Sequence, residues 1–242
     1  MITSGSWRVV TVEVCTAWTA PDAPRDIDAP ATADVPDPRA WLAGLDSFGS
    51  AGRLGLHGRT LTQLVAGEPV EVVEEAGDWV RVAAPWQPSA GGSRGYLAWV
   101  RRQHLTPRAE PAAAPTGSIE SDRAAICWAA RRHLGLRYLW GGTTPYGLDC
   151  SGLVHQAYRD AGVVVPRDAH DQWEATAPVT LGEEQPGDLY FFARSDGHVF
   201  HVGFVTGEQT MLHAPATGQL VENAPLAPSR LETLVAAGRF LT

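Results

Sequence analysis

Three residues carry the chemistry this chain could perform. Cys150 lies in Asp149-Cys150-Ser151-Gly152, directly after the turn-rich stretch 141–147 (GGTTPYG) and directly before a run with helical apolar spacing, 151–161, that closes at Gly162. A thiol at a helix start meets free backbone N–H groups and the positive end of the helix dipole, which favour the thiolate and predict a lowered pKa. Such a nucleophile needs a base, and the base needs an orienting partner. His201, in HVFHVGFV, and His213, in MLHA, fall on consecutive strand-like runs. If residues 206–208 (TGE) form a three-residue hairpin loop with Gly207 in the left-handed position, Val205 pairs with Gln209. His201 then falls opposite His213, and one imidazole orients the other. A two-residue loop would put the two rings on opposite faces. His198, of opposite parity to His201, is a second candidate for the base.

The elements that must position these groups can be read from punctuation and periodicity. The Pro/Ala-rich stretch 106–118 (TPRAEPAAAPTGS) carries no apolar period and reads as a linker. Before it, short β-type runs at 9–15, 68–74, 79–83 and 95–100 suggest a small barrel. That barrel carries a Pro/Asp-rich insertion over about 20–59, with one helical excursion at 38–45. After the linker, Ser118 is an N-cap with Glu120 and Asp122 in the first turn of a helix reaching Leu134. The 151–161 helix follows, then strands at 188–193, 198–206 and 210–213. The expected division is therefore 1–106 for the barrel, 107–118 for the linker and 119–242 for a helix-then-sheet domain, an α+β arrangement. Cys15, Cys127, Trp128 and Trp140 read as packing residues.

Composition excludes several classes. All 19 basic residues are arginine, so no mechanism that needs a Schiff-base, general-base or phosphate-loop lysine is available. A net charge of -8 without extended basic runs argues against nucleic acid as a partner. Three cysteines lack the paired spacings of a zinc knuckle or a disulfide framework. There is no membrane span, and the first residues read as an alternating strand rather than a secretory leader. These features lead to an expected cytoplasmic location, or a secreted one had a leader been removed.

Tyr138-Leu139-Trp140-Gly141-Gly142, Leu148-Asp149-Cys150-Ser151-Gly152-Leu153-Val154, Pro186-Gly187-Asp188-Leu189 and His201-Val202-Gly203 follow one another in order. In that order they resemble the signatures of the NlpC-type cell-wall cysteine peptidases of the papain-like superfamily, over most of 119–242. Weaker matches, at Gly67-Glu68-Pro69-Val70, Gly77 to Val82 and Gly95 to Val100, resemble a bacterial SH3 domain.

The resemblance implies Cys150 as nucleophile, His201 as base and His213 as the orienting third residue. The oxyanion would be met by the Cys150 N–H and the Tyr138 hydroxyl. The pairing with such a barrel, together with the stretch Pro166-Arg167-Asp168-Ala169, further resembles the subgroup that hydrolyses the γ-D-glutamyl bond to meso-diaminopimelate or lysine in murein peptides with a free N-terminal L-Ala. Asp149 would bind that ammonium, with Tyr96 and Glu68 from the barrel, and Ser151 and Asp168 would meet the D-Glu carboxylate. The subgroup commonly has serine after that aspartate, where this chain has Ala169. Asp149 also reads as an electrostatic partner of the helix start, Ser151 and Asp168 as caps, Tyr96 as a core or edge residue of the barrel, and Glu68 as a solvated turn residue. No cofactor is implied. Zinc on Cys150, His201 and His213 is a legitimate ligand set, but no carboxylate that would support it is identifiable. Two other functions stay open: a peptidoglycan-binding module with little catalysis, and an amidase or endopeptidase acting on intact wall.

Overall fold

A computed structural model describes residues 6–90, 94–111, 113–114 and 123–240. It divides into two compact units, Met1–Ala114 with Leu139–Tyr146, and Pro115–Tyr138 with Gly147–Thr242. Residues 139–146, expected in the second domain, thus cluster with the first. The expected cap at Ser118, with Glu120 and Asp122, lies outside the described residues.

In the first unit, β1 (Trp7–Val10), β2 (Val14–Trp18), β3 (Thr60–Val65), β4 (Pro69–Ala76), β5 (Trp79–Ala84), β6 (Tyr96–Arg101) and β7 (Leu105–Pro107) form one antiparallel sheet. Its order is β3-β2-β6-β5-β4-β1-β7, with no ladder joining the two end strands among the described residues. Alternation explains the core: Val70, Val72, Val80, Val82, Ala98 and Val100 point to one side and are buried together.

The insertion expected as a loop with one helix holds three, α1 (Ala29–Thr32), α2 (Pro38–Ser47) and α3 (Ser50–Leu54). Asp37 caps α2 by accepting from the Ala40 N–H at 2.9 Å. The insertion has a core of its own around Trp18, Trp41, Leu45 and Leu56. Buried Asp28 is satisfied there by the Trp41 indole at 2.8 Å and by the Arg25 guanidinium at 2.7 Å. Short strand β8 (Thr143–Thr144) also belongs to this unit. Trp140, expected in the core, is partly exposed instead, stacked on His57 with its indole donating to the Thr60 carbonyl.

The second unit runs α4 (Arg123–Arg131), β9 (Gly147–Leu148), α5 (Cys150–Asp160), α6 (Ala169–Ala175), β10 (Ala177–Val179), β11 (Leu189–Ala193), β12 (Val199–Gly207), β13 (Thr210–His213), β14 (Glu222–Pro225), α7 (Pro228–Leu231) and β15 (Leu234–Arg239). Its sheet has the order β10-β15-β11-β12-β13-β14. Three of the six strands were not expected, because β10 and β14 each contain proline and β15 carries glycine and a weak alternation. Helix α5 lays Leu153, Val154 and Ala157 on Phe191, Val202 and Phe204 of the sheet, and Ile126 of α4 joins them. Each such fully buried Leu or Phe is worth roughly 1.5–3 kcal/mol. Trp128, on the other side of α4, is exposed beneath the Arg132 guanidinium rather than in the core.

Pro186-Gly187-Asp188 does structural work. The fully buried Asp188 accepts from Arg239 at 2.7 and 2.8 Å, from Arg123 at 3.0 Å and from the Gln185 N–H at 2.8 Å. One carboxylate thereby ties α4 and β15 to the start of β11, and its desolvation is offset by charge-assisted hydrogen bonds. Among the described residues no helix is long and apolar enough to cross a membrane.

Candidate active site

Asp149 caps α5, its Oδ1 accepting from the Gly152 N–H at 2.7 Å. Cys150 is therefore the first residue of the helix, and the thiol faces the N–H groups of Ser151 and of Val202, the neighbour of His201 on β12. The expectation of a lowered thiol pKa does not hold. Burial pushes it up to about 12 and the Asp149 carboxylate adds to the rise, against which the two N–H groups and Arg167 are insufficient. His201 moves the other way: burial first, then the Arg230 charge and His213, hold it well below its ordinary value. Burial thus disfavours the charged form of each group, the thiolate and the imidazolium.

His201 Nε2 lies 2.8 Å from His213 Nδ1, with the rings nearly perpendicular at 82°. The register that achieves this is not the expected one. Phe204 pairs with Leu212 and Val205 with Met211; the ladder then shifts past Thr206 so that Gly207 pairs with Thr210. Gln209, at φ 45°, takes the left-handed position instead of Gly207. The shift from the expected pairing is two residues, and an even slip keeps both histidines on one face.

Gly203, rather than His201, then lies beneath His213. A Cβ built there would come 2.9 Å from the His213 Cβ and 3.0 Å from the Met211 Sδ, so the bare glycine is what lets the ring reach across. Gly203→Ala should break the imidazole pair and destabilise the protein by about 1–3 kcal/mol. Denaturant melts measure the second effect and ¹⁵N spectra of the histidine rings the first. Wild-type values in both would show that the glycine is not needed.

If His201 is to take a proton from the thiol, its Nδ1 must be bare and Nε2 must carry the hydrogen donated to His213 Nδ1. The His213 hydrogen then sits on Nε2, which faces the exposed carboxylate of Glu222, cross-strand on β14, at 3.4 Å. Burial and Arg230 depress the His213 pKa to about 4, so this ring too is neutral. Glu222 escaped sequence reading because β14 was not expected. His198 lies outside this pair, exposed and stacked on His170.

The larger gap concerns Arg167, which stands in the Pro166-Arg167-Asp168-Ala169 stretch but receives no role from the sequence reading. It is 1% exposed and gives Asp149 a two-point contact, at 2.7 Å to Oδ2 and 3.1 Å to Oδ1, and donates to Ser151 Oγ at 2.9 Å. The signal was an arginine ending the apolar run GVVVPR, which had to find a carboxylate once buried. Asp168 starts α6 with its side chain about half exposed, 3.8 Å from the same guanidinium. Tyr138 is buried, bridged to Leu148, and faces Cys150, Asp149, Arg167 and Arg230; burial pushes its pKa far up, so the hydroxyl stays a donor.

In the first unit, Glu68 is fully buried, a correction to the solvated turn residue expected. It accepts from Gln87 Nε2 at 2.9 Å and from the Val65 N–H at 3.2 Å. The N–H of Tyr96, also buried, donates to the carbonyl of the same Gln87 at 2.9 Å. The two expected binding residues therefore meet through a glutamine that the sequence did not single out. Among the described residues no group of three or more His, Cys, Asp and Glu is arranged to hold a metal ion.

Residues 135–237 match the NlpC/P60 family. The chain is 30% identical to the gamma-D-glutamyl-L-lysine dipeptidyl-peptidase of Bacillus subtilis, over 93% of this chain and 96% of the relative. It is 28% identical to the enzyme of that name from Bacillus cereus, over 96% and 90%. A crystal structure of an NlpC/P60 family protein from Bacillus cereus superposes with a TM-score of 0.87 at 26% identity, covering 98% of this chain and all of the other.

Proposed function

The chain belongs to the NlpC/P60 family, and from that premise we propose that it is a cysteine peptidase hydrolysing the γ-D-glutamyl–diamino acid bond of peptidoglycan stem peptides with a free N-terminal L-Ala. The observation that carries the reading is the helix-start thiol of Cys150 set beside a strand whose next residue, His201, is locked to His213. Neutral His201 takes the thiol proton as sulfur attacks the γ-carboxamide carbon. The Cys150 N–H and the Tyr138 hydroxyl meet the oxyanion. His201 then returns the proton to the leaving amine, and a water activated by the same imidazole hydrolyses the thioester.

Asp149 supports selectivity for a free amine. Its carboxylate, oriented by Arg167 and by the Gly152 N–H, is the negative group to which we assign the ammonium of the N-terminal L-Ala. To Glu68 and Tyr96 we assign the first unit's share of peptide binding, and to Ser151 and Asp168 that of the D-Glu carboxylate, through hydroxyl and backbone groups. The first sheet we read as SH3-like, on strand pattern and family resemblance. Purified protein under reducing conditions at neutral pH should release lysine from L-Ala-γ-D-Glu-L-Lys, and N-acetylation should slow it by about tenfold or more. No release would sink the peptidase reading. Equal rates on free and capped peptides would favour an endopeptidase or amidase acting on intact wall.

A further inference from the structure

Two guanidinium groups lie close to the candidate nucleophile, and they are used differently. That of Arg167 is committed to Asp149 and Ser151. That of Arg230, the third residue of α7, is partly buried and has no carboxylate paired with it among the described residues. Its Cζ sits 5.6 Å over the ring of Phe192, and that ring lies 5.5 Å from the ring of His201. Its Nη2 donates at 3.4 Å to the carbonyl of Pro215, two residues beyond His213. The cation thus lies over a ring of β11, the strand that pairs with His201's β12, and beside a carbonyl just past the end of His213's β13. Its field reaches the imidazoles: burial first, and then this charge, lowers both histidines. Cys150, Glu222 and Tyr138 act on Arg230 in turn, while burial lowers its own pKa.

A partly buried guanidinium whose side-chain hydrogen bond is long and goes to a neutral acceptor can exchange solvent on its other N–H groups for a better partner. A carboxylate supplies what its planar fork lacks, two parallel charge-assisted hydrogen bonds. We propose that Arg230 is a specificity-determining residue that binds a carboxylate of the substrate beside the bond being cut. This rests on the γ-glutamyl peptidase reading, under which two carboxylates flank the bond. One is the α-carboxylate that a γ-linkage leaves free on the glutamyl residue. The other is the carboxylate of the diamino acid on the leaving side. Both present the same chemistry to the guanidinium.

Three peptides separate the sources: L-Ala-γ-D-Glu-L-Lys, its analogue with the glutamyl α-carboxylate as carboxamide, and its analogue ending in lysinamide. Wild-type enzyme should lose about 10- to 100-fold in kcat/KM on whichever amide removes the recognised carboxylate. Arg230→Gln should lose a similar factor on the diacid and little further on that same amide, which identifies the carboxylate. Equal loss by Arg230→Gln on all three peptides would overturn the proposal, because the charge would then act on the thiol or the fold. So would wild-type enzyme that treats all three alike. Should wild-type enzyme cleave none of them, it is the peptidase reading that fails, a result distinct from either.

Discussion

Cys150→Ala should bring turnover of L-Ala-γ-D-Glu-L-Lys below detection, a loss of at least about 10⁴-fold in kcat, with the melting temperature within a few degrees of wild type. Burial disfavours the thiolate and the imidazolium separately, and in the proposed mechanism the proton passes from sulfur to His201 as attack proceeds. Alanine has nothing to deprotonate. Cys150→Ser should be almost as inactive, because a hydroxyl is harder to ionise than a thiol already pushed up to about 12. The fold should survive, since the cap of α5 is made by Asp149 and Gly152 rather than by sulfur. The other thiols offer no substitute: Cys15 is fully enclosed in the first sheet's core, and both its pKa and that of half-buried Cys127 are raised by burial. A Cys150→Ala protein retaining more than a few per cent of wild-type kcat would remove Cys150 as nucleophile.

Arg167→Met should cost stability as well as activity. Methionine fills much of the same space but leaves Asp149, 7% exposed, as a buried carboxylate without its cation, which costs about 3–5 kcal/mol. For a chain of this size that corresponds to roughly 10 °C in melting temperature. Free-amine peptides should also be cleaved poorly, because Asp149 loses the partner that orients it. The double variant Asp149→Asn/Arg167→Met removes the orphaned charge and should recover much of the lost stability while remaining impaired on those peptides. Circular-dichroism melts of the three proteins make the test. A shift below about 2 °C for Arg167→Met would show that water or another group satisfies Asp149 without the guanidinium.

Legibility from sequence tracked how local the determining interaction is. Helix α5 was readable because its turn-rich start, its apolar stripe and its closing glycine all lie within a short stretch of chain, 141–162. The second histidine was placed on the correct face despite a hairpin register wrong by two residues, since face depends only on parity. The strands β10, β14 and β15 were invisible because their residues make poor strands alone and are held by neighbours already in the sheet. Glu68 was misjudged for a related reason. A glutamate beside a turn is normally solvated, and only the fold supplies Gln87 and the Val65 N–H to satisfy it in the interior.

By itself the sequence determined the chemistry: a thiol at a helix start, two histidines on successive strands and ordered family motifs around them, in a chain with no lysine to offer another route. These are properties of residue type and short-range spacing, which the backbone's regular periods convert directly into faces and ends. Only the tertiary structure decided the electrostatics. Which way the Cys150 thiol pKa moves, which arginine is committed to Asp149 and which has no carboxylate paired with it among the described residues, and whether Glu222 stands behind His213 all depend on burial and on groups far apart in the chain. Desolvation and long-range pairing have no local signature, so the pKa that a helix start alone predicts to fall is, inside the folded protein, pushed up.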